Sequence, residues 1–421
     1  MTDVRINGAR QQPVPSPGPQ QFTPDRLRTI VQDSHLNFLI GAGTPSAFFA
    51  RLGNIEQALT DLADSEASDA TKALVRASIQ GYFFENVLVP NLKIVDRDPS
   101  AEVVLRSYAT FLRTLNRILL KRHSSLLAKQ VNVFTTNVDM VFEMALELMG
   151  IDFSDGFTGK IRPRFDLGDF NTLRFRMGSR YEHRSEVPVF NLIKLHGSAG
   201  WLQEQRSATM TDIYFDHGLS LVASVMKEFD NAKSHLLQIE NPDEVDAADL
   251  ISKVTTSSVP EAVTEFTAAY DKLGIVNPDK RKFATTVLNE TYYELIRRFA
   301  NELEKENSVL FVHGFSFRDE HLRDLVLRAA RTNPTLLVVI FCYSRADRAE
   351  YEKLLPDLDI KNGNVLYVTP PQPNEGEDER KATLDVVGSD YFVPIVADKN
   401  PASDQRIELD IRMPAQELSG A

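Results

Sequence analysis

Six short apolar runs, separated by longer stretches of helical periodicity, restrict this chain to few folds. The runs are LNFLIG (36–41), VNVFTTN (131–137), VFNLIKLHG (189–197), VLFVHGF (309–315), TLLVVIFCYS (335–344) and NVLYVTP (364–370). Their apolar residues are largely consecutive rather than alternate, which is typical of parallel strands buried on both faces. Helical patterns lie between them, at residues 70–88, 102–127, 140–149, 283–305 and 320–331. This order predicts an α/β fold with a Rossmann-like, doubly wound and mainly parallel sheet.

The remaining segments suggest how the chain is organised. Residues 1–22 are rich in Pro, Gln and Gly and poor in large apolar side chains, which predicts a flexible arm. The main domain then covers residues 23–370. Within it, residues 204–279 are polar and contain no strand-like run, so we expect a helical insertion at about residues 204–300. Residues 371–421 form a C-terminal extension with a few β-type segments, and both arm and extension are candidate contact elements.

Composition excludes several classes of protein. One cysteine, Cys342, among 421 residues rules out an intrachain disulfide framework and a zinc site made of several thiolates. A formal net charge of -12 argues against a broad nucleic-acid surface, although short basic patches lie at residues 160–164 and 174–180. The sequence shows neither a secretory leader nor an apolar run of about 18 residues. We therefore expect a cytoplasmic protein that binds no membrane and no nucleic acid directly.

Polar or glycine-rich motifs follow the first two apolar runs. Gly41 and Gly43 permit close backbone approach, and a helix after them would offer its free amides to a phosphate. Ser46 stands where a dinucleotide fingerprint has its third glycine, so a plain structural turn is an equal interpretation. In the second motif, FTTNVD, Asn137 and Asp139 precede a helical pattern, and one of them is expected to cap it.

A histidine follows the third run, in the motif IKLHGS. His196 ends the predicted strand just before a glycine, so its ring should project into the crevice above the sheet. A lone histidine is more often a hydrogen-bonded structural residue than a catalyst, and that alternative stays open.

The fourth motif, FVHGFSFRDEHLRDL, places Gly314 and Ser316 between a strand and a helix. Asp319 at the helix start is explained by local structure alone, because acidic residues stabilise that end. His313 and His321 flank the motif, and we expect the first to be packed and the second to lie on the helix surface. All four motifs nevertheless share one position, the ligand-binding edge of an open parallel sheet.

Taken in order, the four motifs resemble those of the sirtuins: a Gly-Ala-Gly loop, Thr-x-Asn-x-Asp, His-Gly and Gly-x-Ser. The resemblance spans residues 37–369. The phrases TTNVD, KLHGS and GFSFRDEHL are similar, more narrowly, to sirtuin-like NAD-consuming proteins of bacterial antiphage defence, particularly those encoded beside a HerA-type ATPase. This resemblance implies that residues 23–370 are a sirtuin-like NAD-binding catalytic domain, with NAD as substrate and no metal.

The resemblance also implies roles for single residues. His196 matches the catalytic histidine, and Asn137 matches the asparagine that orders the nicotinamide ribose and a water. Asp139 matches the aspartate that holds the carboxamide of nicotinamide. The positions implied for the phosphates and ribose are Gly41, Ala42, Gly43, Thr44, Ser46, Gly314 and Ser316. At the adenine end we place Ser344, which follows the fifth apolar run.

The chain departs from the deacylating sirtuins in several places. Those proteins carry a zinc ribbon with four cysteines, which cannot be built with Cys342 alone. Their Pro-Asp-Phe-Arg segment is replaced by SAFFARLGNIEQ, which leaves Phe48 and Arg51 as candidates for the nicotinamide side. The serine of the glycine loop is displaced by one residue, to Ser46. The stretch between the second and third motifs is also longer, and we expect it to cover the site or to form an oligomer contact.

These observations lead to one main hypothesis, an NAD glycohydrolase that cleaves NAD to nicotinamide and ADP-ribose. Loss of nicotinamide leaves an oxocarbenium-like sugar, and an imidazole can accept a proton from the attacking water near neutral pH. The resemblance implies that the reaction depletes NAD in antiphage defence by abortive infection, in a homo-oligomer with a HerA-type ATPase partner. Two alternatives remain: a module that senses NAD or ADP-ribose, and a protein deacylase or ADP-ribosyltransferase.

Overall fold

The computed structural model describes residues 22–396, except 52, 123–126, 180–182, 206–210, 277–289, 357–359, 361 and 375. Most of the predicted arm, the start of the predicted helix at 283–305 and the last part of the C-terminal extension therefore lie outside the described residues. The α-helices are α1 (Pro24–Asp33), α2 (Ile55–Asp64), α3 (Asp69–Phe83), α4 (Pro90–Val95), α5 (Glu102–Leu120), α6 (Val141–Leu148), α7 (Ser220–Ala232), α8 (Ala247–Ser252), α9 (Glu261–Tyr270), α10 (Glu290–Glu304), α11 (Glu320–Thr332), α12 (Asp347–Leu354), α13 (Leu384–Val387) and α14 (Val393–Val396).

Within the described residues, the strands fall into a seven-stranded, a five-stranded and a two-stranded sheet. They are β1 (His35–Ile40), β2 (Gln130–Thr135), β3 (Phe153–Ser154), β4 (Phe157–Thr158), β5 (Arg164–Phe165), β6 (Arg174–Met177), β7 (Arg184–Val187), β8 (Val189–Lys194), β9 (Gly197–Gln205), β10 (Thr211–Phe215), β11 (Leu273–Ile275), β12 (Ser308–His313), β13 (Leu337–Phe341) and β14 (Val365–Val368).

The central sheet is entirely parallel, with the strand order β14-β13-β12-β1-β2-β8-β3. All six predicted runs are strands of this sheet. Successive side chains of β1 point to opposite faces: Phe38 packs into the core beneath α5 and α6, and Leu39 into the core beneath α10 and α11. Helices thus cover both faces, consistent with a Rossmann-like fold, and the predicted fold class is confirmed.

A row of buried amides crosses the middle of the sheet. Asn191 donates through Nδ2 to Oδ1 of Asn132, and Asn132 donates in the same way to Asn37, both at 2.8 Å. Asn37 in turn donates to the hydroxyl of Ser308 at 2.8 Å. The three asparagines occupy matching positions on β8, β2 and β1, and Ser308 on β12 lies two residues away, opposite His35. A slip of one strand would break the row and leave buried polar groups unpaired, so it stabilises the observed register.

The prediction that residues 204–279 contain no strand is wrong. β9 extends to Gln205, and β10 and β11 pair with it in a five-stranded antiparallel sheet of order β11-β9-β10-β5-β4. These strands were missed because β10 is short and half-exposed, with Ile213 as its one fully buried side chain. The same region contains the helices α7, α8 and α9; α8 packs on α2 and α3, and α9 packs on α3 and α7.

The C-terminal extension differs from its predicted β-type character. Residues 384–396 form α13, a π-helical turn and α14, and Phe392 and Val396 are buried in the core beneath α5. Their β-branched and aromatic composition favours strands, but burial against the main core decides the helical conformation. Phe22, at the other end of the described chain, packs against Phe341 and Tyr391 in the same core. None of the helices in the described residues has both the length and the apolar character needed to cross a membrane.

Candidate active site

A cavity of about 560 Å³ opens above the carboxyl edge of the central sheet. Its walls come from the segments that follow β1, β2, β8, β12 and β13, together with Arg51, Glu56 and Asp243 from the helical side. Open α/β sheets bind ligands at this position, which lies at the carboxyl ends of the strands where the strand order reverses. The volume falls within the range of small-molecule sites.

The glycine loop after β1 and the loop after β12 cross in close contact. The Gly43 amide donates to the Gly314 carbonyl oxygen at 2.9 Å, and the Gly41 amide donates to the His313 carbonyl oxygen at 3.0 Å. A Cβ atom at Gly41 would lie 2.5 Å from the Gly314 oxygen, and Gly314 itself has φ +64°. Both glycines are therefore required by the crossing. The helix expected directly after the glycine loop is wrong, because residues 42–48 form turns and α2 begins only at Ile55.

This crossing changes which groups are available to a phosphate. The amides of Gly41, Gly43 and Thr44 are already bonded within the loops. Donors on the cavity wall include the hydroxyl of Ser316 and the guanidinium of Arg318, which lies 3.3 Å from Glu350. The Ser46 hydroxyl also lines the wall but donates to the Gly43 carbonyl oxygen at 2.9 Å. Arg318 was not foreseen, although its place beside the Gly-x-Ser motif was a usable signal.

Asn137 is buried, with 7% of its surface exposed, and it lines the cavity. Its Nδ2 donates to the Gly41 carbonyl oxygen at 3.2 Å, which ties the second motif to the glycine loop. Among the described residues, none donates a hydrogen bond to its Oδ1 atom. A buried amide oxygen is costly to leave unsatisfied, so a donor that reached this atom would remove that cost.

Of Asn137 and Asp139, it is Asp139 whose side chain contacts the first residue of α6. Its Oδ1 accepts from the Val141 amide at 3.0 Å, whereas Asn137 makes no such contact. Burial raises the pKa of Asp139, and the opposing charge of Lys194 limits the rise. The carboxyl group lines the cavity, where it can accept a hydrogen bond from an amide group.

A buried ion pair contacts the backbone at Asp139. Lys194 lies 3.0 Å from Glu143 and also donates to the backbone carbonyl of Asp139. Burial raises the pKa of Glu143 to about 7, with Lys194 acting in the opposite direction. Neither residue was singled out from the sequence, although a lysine inside the apolar run NLIKL was a signal that it has a buried partner.

His196 also lines the cavity. It follows β8, and its Nε2 atom lies 3.2 Å from Oδ2 of Asp319. Asp319 also caps α11, since its Oδ1 accepts from the Leu322 amide at 3.2 Å. The sequence explained Asp319 only as a helix start, because nothing local reveals a partner that follows a different strand.

His313 lies beneath the glycine loop and joins it to the C-terminal extension. Its Nδ1 is 2.8 Å from the Thr44 hydroxyl, and its Nε2 is 3.0 Å from the Ala382 carbonyl oxygen. Burial lowers the pKa of His313 to about 4. The ring is therefore neutral at pH 7, donating to Ala382 and accepting from Thr44, and the expectation of a packed histidine is confirmed.

The cavity has two ends, which we name by their walls. The buried end is formed by Asn137, Asp139 and His196, after β2 and β8; the open end is formed by Arg318, Tyr343, Asp347 and Glu350, beside β12 and β13. Ser344 does not line the cavity; its amide donates to Asp347 Oδ2 at 2.8 Å and so holds that carboxylate.

The structure brings most of the predicted site residues together. Those on the cavity wall are Ala42, Gly43, Ser46, Asn137, Asp139, His196, Gly314 and Ser316. Gly41, Thr44 and Ser344 do not line the cavity. Arg51 lines the cavity and pairs with Asp243 at 3.5 Å, whereas Phe49 takes the wall position considered for Phe48. None of the described residues between Asp139 and His196 lines it, so this stretch does not cover the site there.

Within the described chain, no group of three or more His, Cys, Asp or Glu side chains is arranged to hold a metal ion. Comparison with protein-family models finds no match, and neither does comparison with curated proteins.

Proposed function

We propose that this protein is an NAD glycohydrolase, which cleaves NAD with water to nicotinamide and ADP-ribose. The observation that supports it most is the meeting of Asn137 and His196 on the walls of one cavity, beside the crossed glycine loops. Neither the glycine crossing nor the histidine is specific alone. Together with Asn137 they place crossed glycine loops, a buried amide side chain and an imidazole on the walls of one cavity.

Each residue of the buried end has a task in this reaction. Asp139 would accept a hydrogen bond from the carboxamide of nicotinamide and so orient the leaving group. Asn137 would use its unpaired Oδ1 to hold a ribose hydroxyl or the attacking water. His196 would accept the proton of that water as its oxygen bonds to C1′ and nicotinamide leaves with the electron pair of the glycosidic bond.

Product analysis tests the proposal directly. Purified wild-type protein is incubated with NAD, alone and with its candidate ATPase partner, and nicotinamide and ADP-ribose are quantified by chromatography. We expect His196→Ala to lower the rate by at least about a hundredfold, because general-base catalysis contributes that much. His235→Ala, which changes an exposed histidine remote from the cavity wall, should retain the wild-type rate.

Other products would identify a different function. Recovery of unchanged NAD in both states, with measurable binding, would refute hydrolysis and indicate a sensing module. Acyl-ADP-ribose made from an acylated peptide, or ADP-ribose retained on protein, would indicate a deacylase or a transferase.

We further propose a biological role, which rests on the resemblance of the four motifs. The protein would deplete NAD during phage infection, as a homo-oligomer bound to a HerA-type ATPase. Cells expressing both proteins should lose NAD after infection, and cells with His196→Ala should not. Mass measurement of the co-purified complex gives the subunit numbers, and failure to co-purify would contradict the partnership.

A further inference from the structure

The contact between His196 and Asp319 joins segments that the sheet holds far apart. His196 follows β8 and Asp319 follows β12, with β1 and β2 between those strands. At about 4.8 Å per strand spacing, the two strand ends are about 14 Å apart. The side chains nevertheless meet, with Nε2 and Oδ2 separated by 3.2 Å and with 15% and 16% of their surfaces exposed.

The loop that delivers Asp319 is held in an unusual conformation. Phe317 has φ +58°, in the left-handed region that non-glycine residues rarely occupy. Its ring is fully buried and packs on the rings of Phe315 and Tyr351, with centroid distances of 5.1 and 5.8 Å. Such strain persists only where the surroundings fix the backbone, and it is concentrated at functional sites. Together with the cap on the Leu322 amide, this packing gives the Asp319 carboxylate one orientation.

The backbone around His196 is held as firmly. Its carbonyl oxygen accepts from the Val276 amide at 2.9 Å. The next residue, Gly197, has φ +80°, and a Cβ atom there would lie 2.1 Å from the Gly274 carbonyl oxygen. Since the backbone is fixed on both sides, the orientation of the imidazole depends on the partner of its ring.

We propose that Asp319 is a positioning residue for His196. Its Oδ2 accepts the proton on Nε2, which leaves Nδ1 as the ring atom that takes the proton of the attacking water. A carboxylate in this position selects one tautomer and stabilises the imidazolium that forms. The proton then passes from Nδ1 to solvent. The kinetic consequence rests on the proposed NAD hydrolysis, whereas the contact between the two side chains and the tautomer do not.

Asp319→Asn separates this role from helix capping, because asparagine caps helices as well as aspartate does. We expect kcat to fall at least about tenfold while KM changes less than about threefold. Asp324→Asn, on the exposed side of the same helix, should leave both constants unchanged. In a His196→Ala background, Asp319→Asn should cause no further loss, because the two residues act as one unit. Wild-type kcat in Asp319→Asn, or equal losses in both backgrounds, would overturn the proposal.

Nuclear magnetic resonance of protein labelled with 15N-histidine tests the same contact without turnover. The signal assigned through His196→Gln should show a protonated Nε2 and an unprotonated Nδ1, and Asp319→Ala should replace it with an average of both tautomers. The opposite tautomer in the wild type would refute the proposal. A protein that shows the expected signal but releases no nicotinamide would refute the proposed function and leave the positioning contact standing.

Discussion

The two ends of the cavity differ in how firmly their side chains are held. At the buried end, Asn137 and Asp139 are 7% and 4% exposed, and hydrogen bonds to the glycine loop and to α6 fix both. At the open end, Tyr343 is 48% exposed, and Arg318 and Glu350 form an exposed ion pair. Exposed pairs contribute little to stability and rearrange readily, whereas buried polar groups hold their geometry.

Under the proposed function, this difference suggests a division of tasks along the cavity. Bond cleavage requires groups already in place when charge develops, which the buried end provides. Recognition of the remaining part of a dinucleotide tolerates adjustment, which the open end permits. The crossed glycine loops lie between the two ends and fix the position of one end relative to the other.

The largest expected effect comes from truncation at the buried end. Asn137→Ala should lower kcat for NAD cleavage by about a hundredfold to a thousandfold, the loss typical of one preorganised polar group. Tyr343→Ala, the matching truncation at the open end, should change kcat less than about threefold and act mainly on KM. Steady-state kinetics of both variants decides the point. Equal losses of kcat at the two ends would contradict the proposed division.

The next largest effect is on the pH dependence of folding stability, and it concerns His313, which lies beneath the crossed glycine loops. Burial lowers its pKa to about 4, whereas histidine in an unfolded chain titrates near about 6.5. The unfolded chain thus binds the proton more tightly, so stability from the neutral ring is complete above about pH 6.5 and is lost as the pH falls toward about 4. The loss should reach about 3 kcal/mol, at about 1.4 kcal/mol per pH unit.

Urea unfolding of wild type and His313→Gln at pH 7 and pH 4 measures this loss. The free-energy difference between the two proteins should shrink, or change sign, as the pH falls, because glutamine does not titrate. His235→Gln, at an exposed position, should show no such trend. A difference that stays constant between the two pH values would show that His313 does not titrate with the folding equilibrium.

A somewhat smaller effect on stability distinguishes backbone strain from steric contact at the place where the two glycine loops cross. Gly314 and Gly363 both have positive φ, but a Cβ atom at Gly314 would lie 2.4 Å from the Thr44 amide nitrogen, while Gly363 has no atom within 4 Å. Gly314→Ala should therefore destabilise the fold by about 2 kcal/mol more than Gly363→Ala. Chemical denaturation of the two variants gives this difference directly. Equal destabilisation would mean that the two loops separate easily and do not fix the relative position of the two cavity ends.

The smallest expected effect lies at the open end, where Asp347 is held by the Ser344 amide. An acidic residue in this region favours ribose hydroxyls over a ribose phosphate. We expect wild type to prefer NAD to NADP, and Asp347→Asn to narrow that preference by about fivefold, since solvent screens a half-exposed charge. Competition between the two dinucleotides measures the ratio. Asp385→Asn, an exposed change outside the cavity wall, is the control, and an equal shift there would exclude a local role for Asp347.

Much of the fold was readable from the sequence, and so was the edge of the sheet at which the four motifs meet. Each of the six apolar runs is a strand, because burial on both faces requires consecutive apolar residues. Placing Asn137, His196 and Gly314 after such runs was enough to predict that they share one edge, since all strands of a parallel sheet end on the same side. The errors fell where the local signal is weak, as in half-exposed β10, or where burial overrides propensity, as in residues 384–396.

The sequence by itself determined the strands, their common direction and the residues at their ends, because periodicity and glycine spacing are local properties. Only the tertiary structure decided the pairs: His196 with Asp319, Lys194 with Glu143, and His313 with Thr44 and Ala382. Each of these contacts joins residues from different loops or secondary-structure elements. Their geometry depends on strand order, helix packing and backbone strain, which no local pattern encodes.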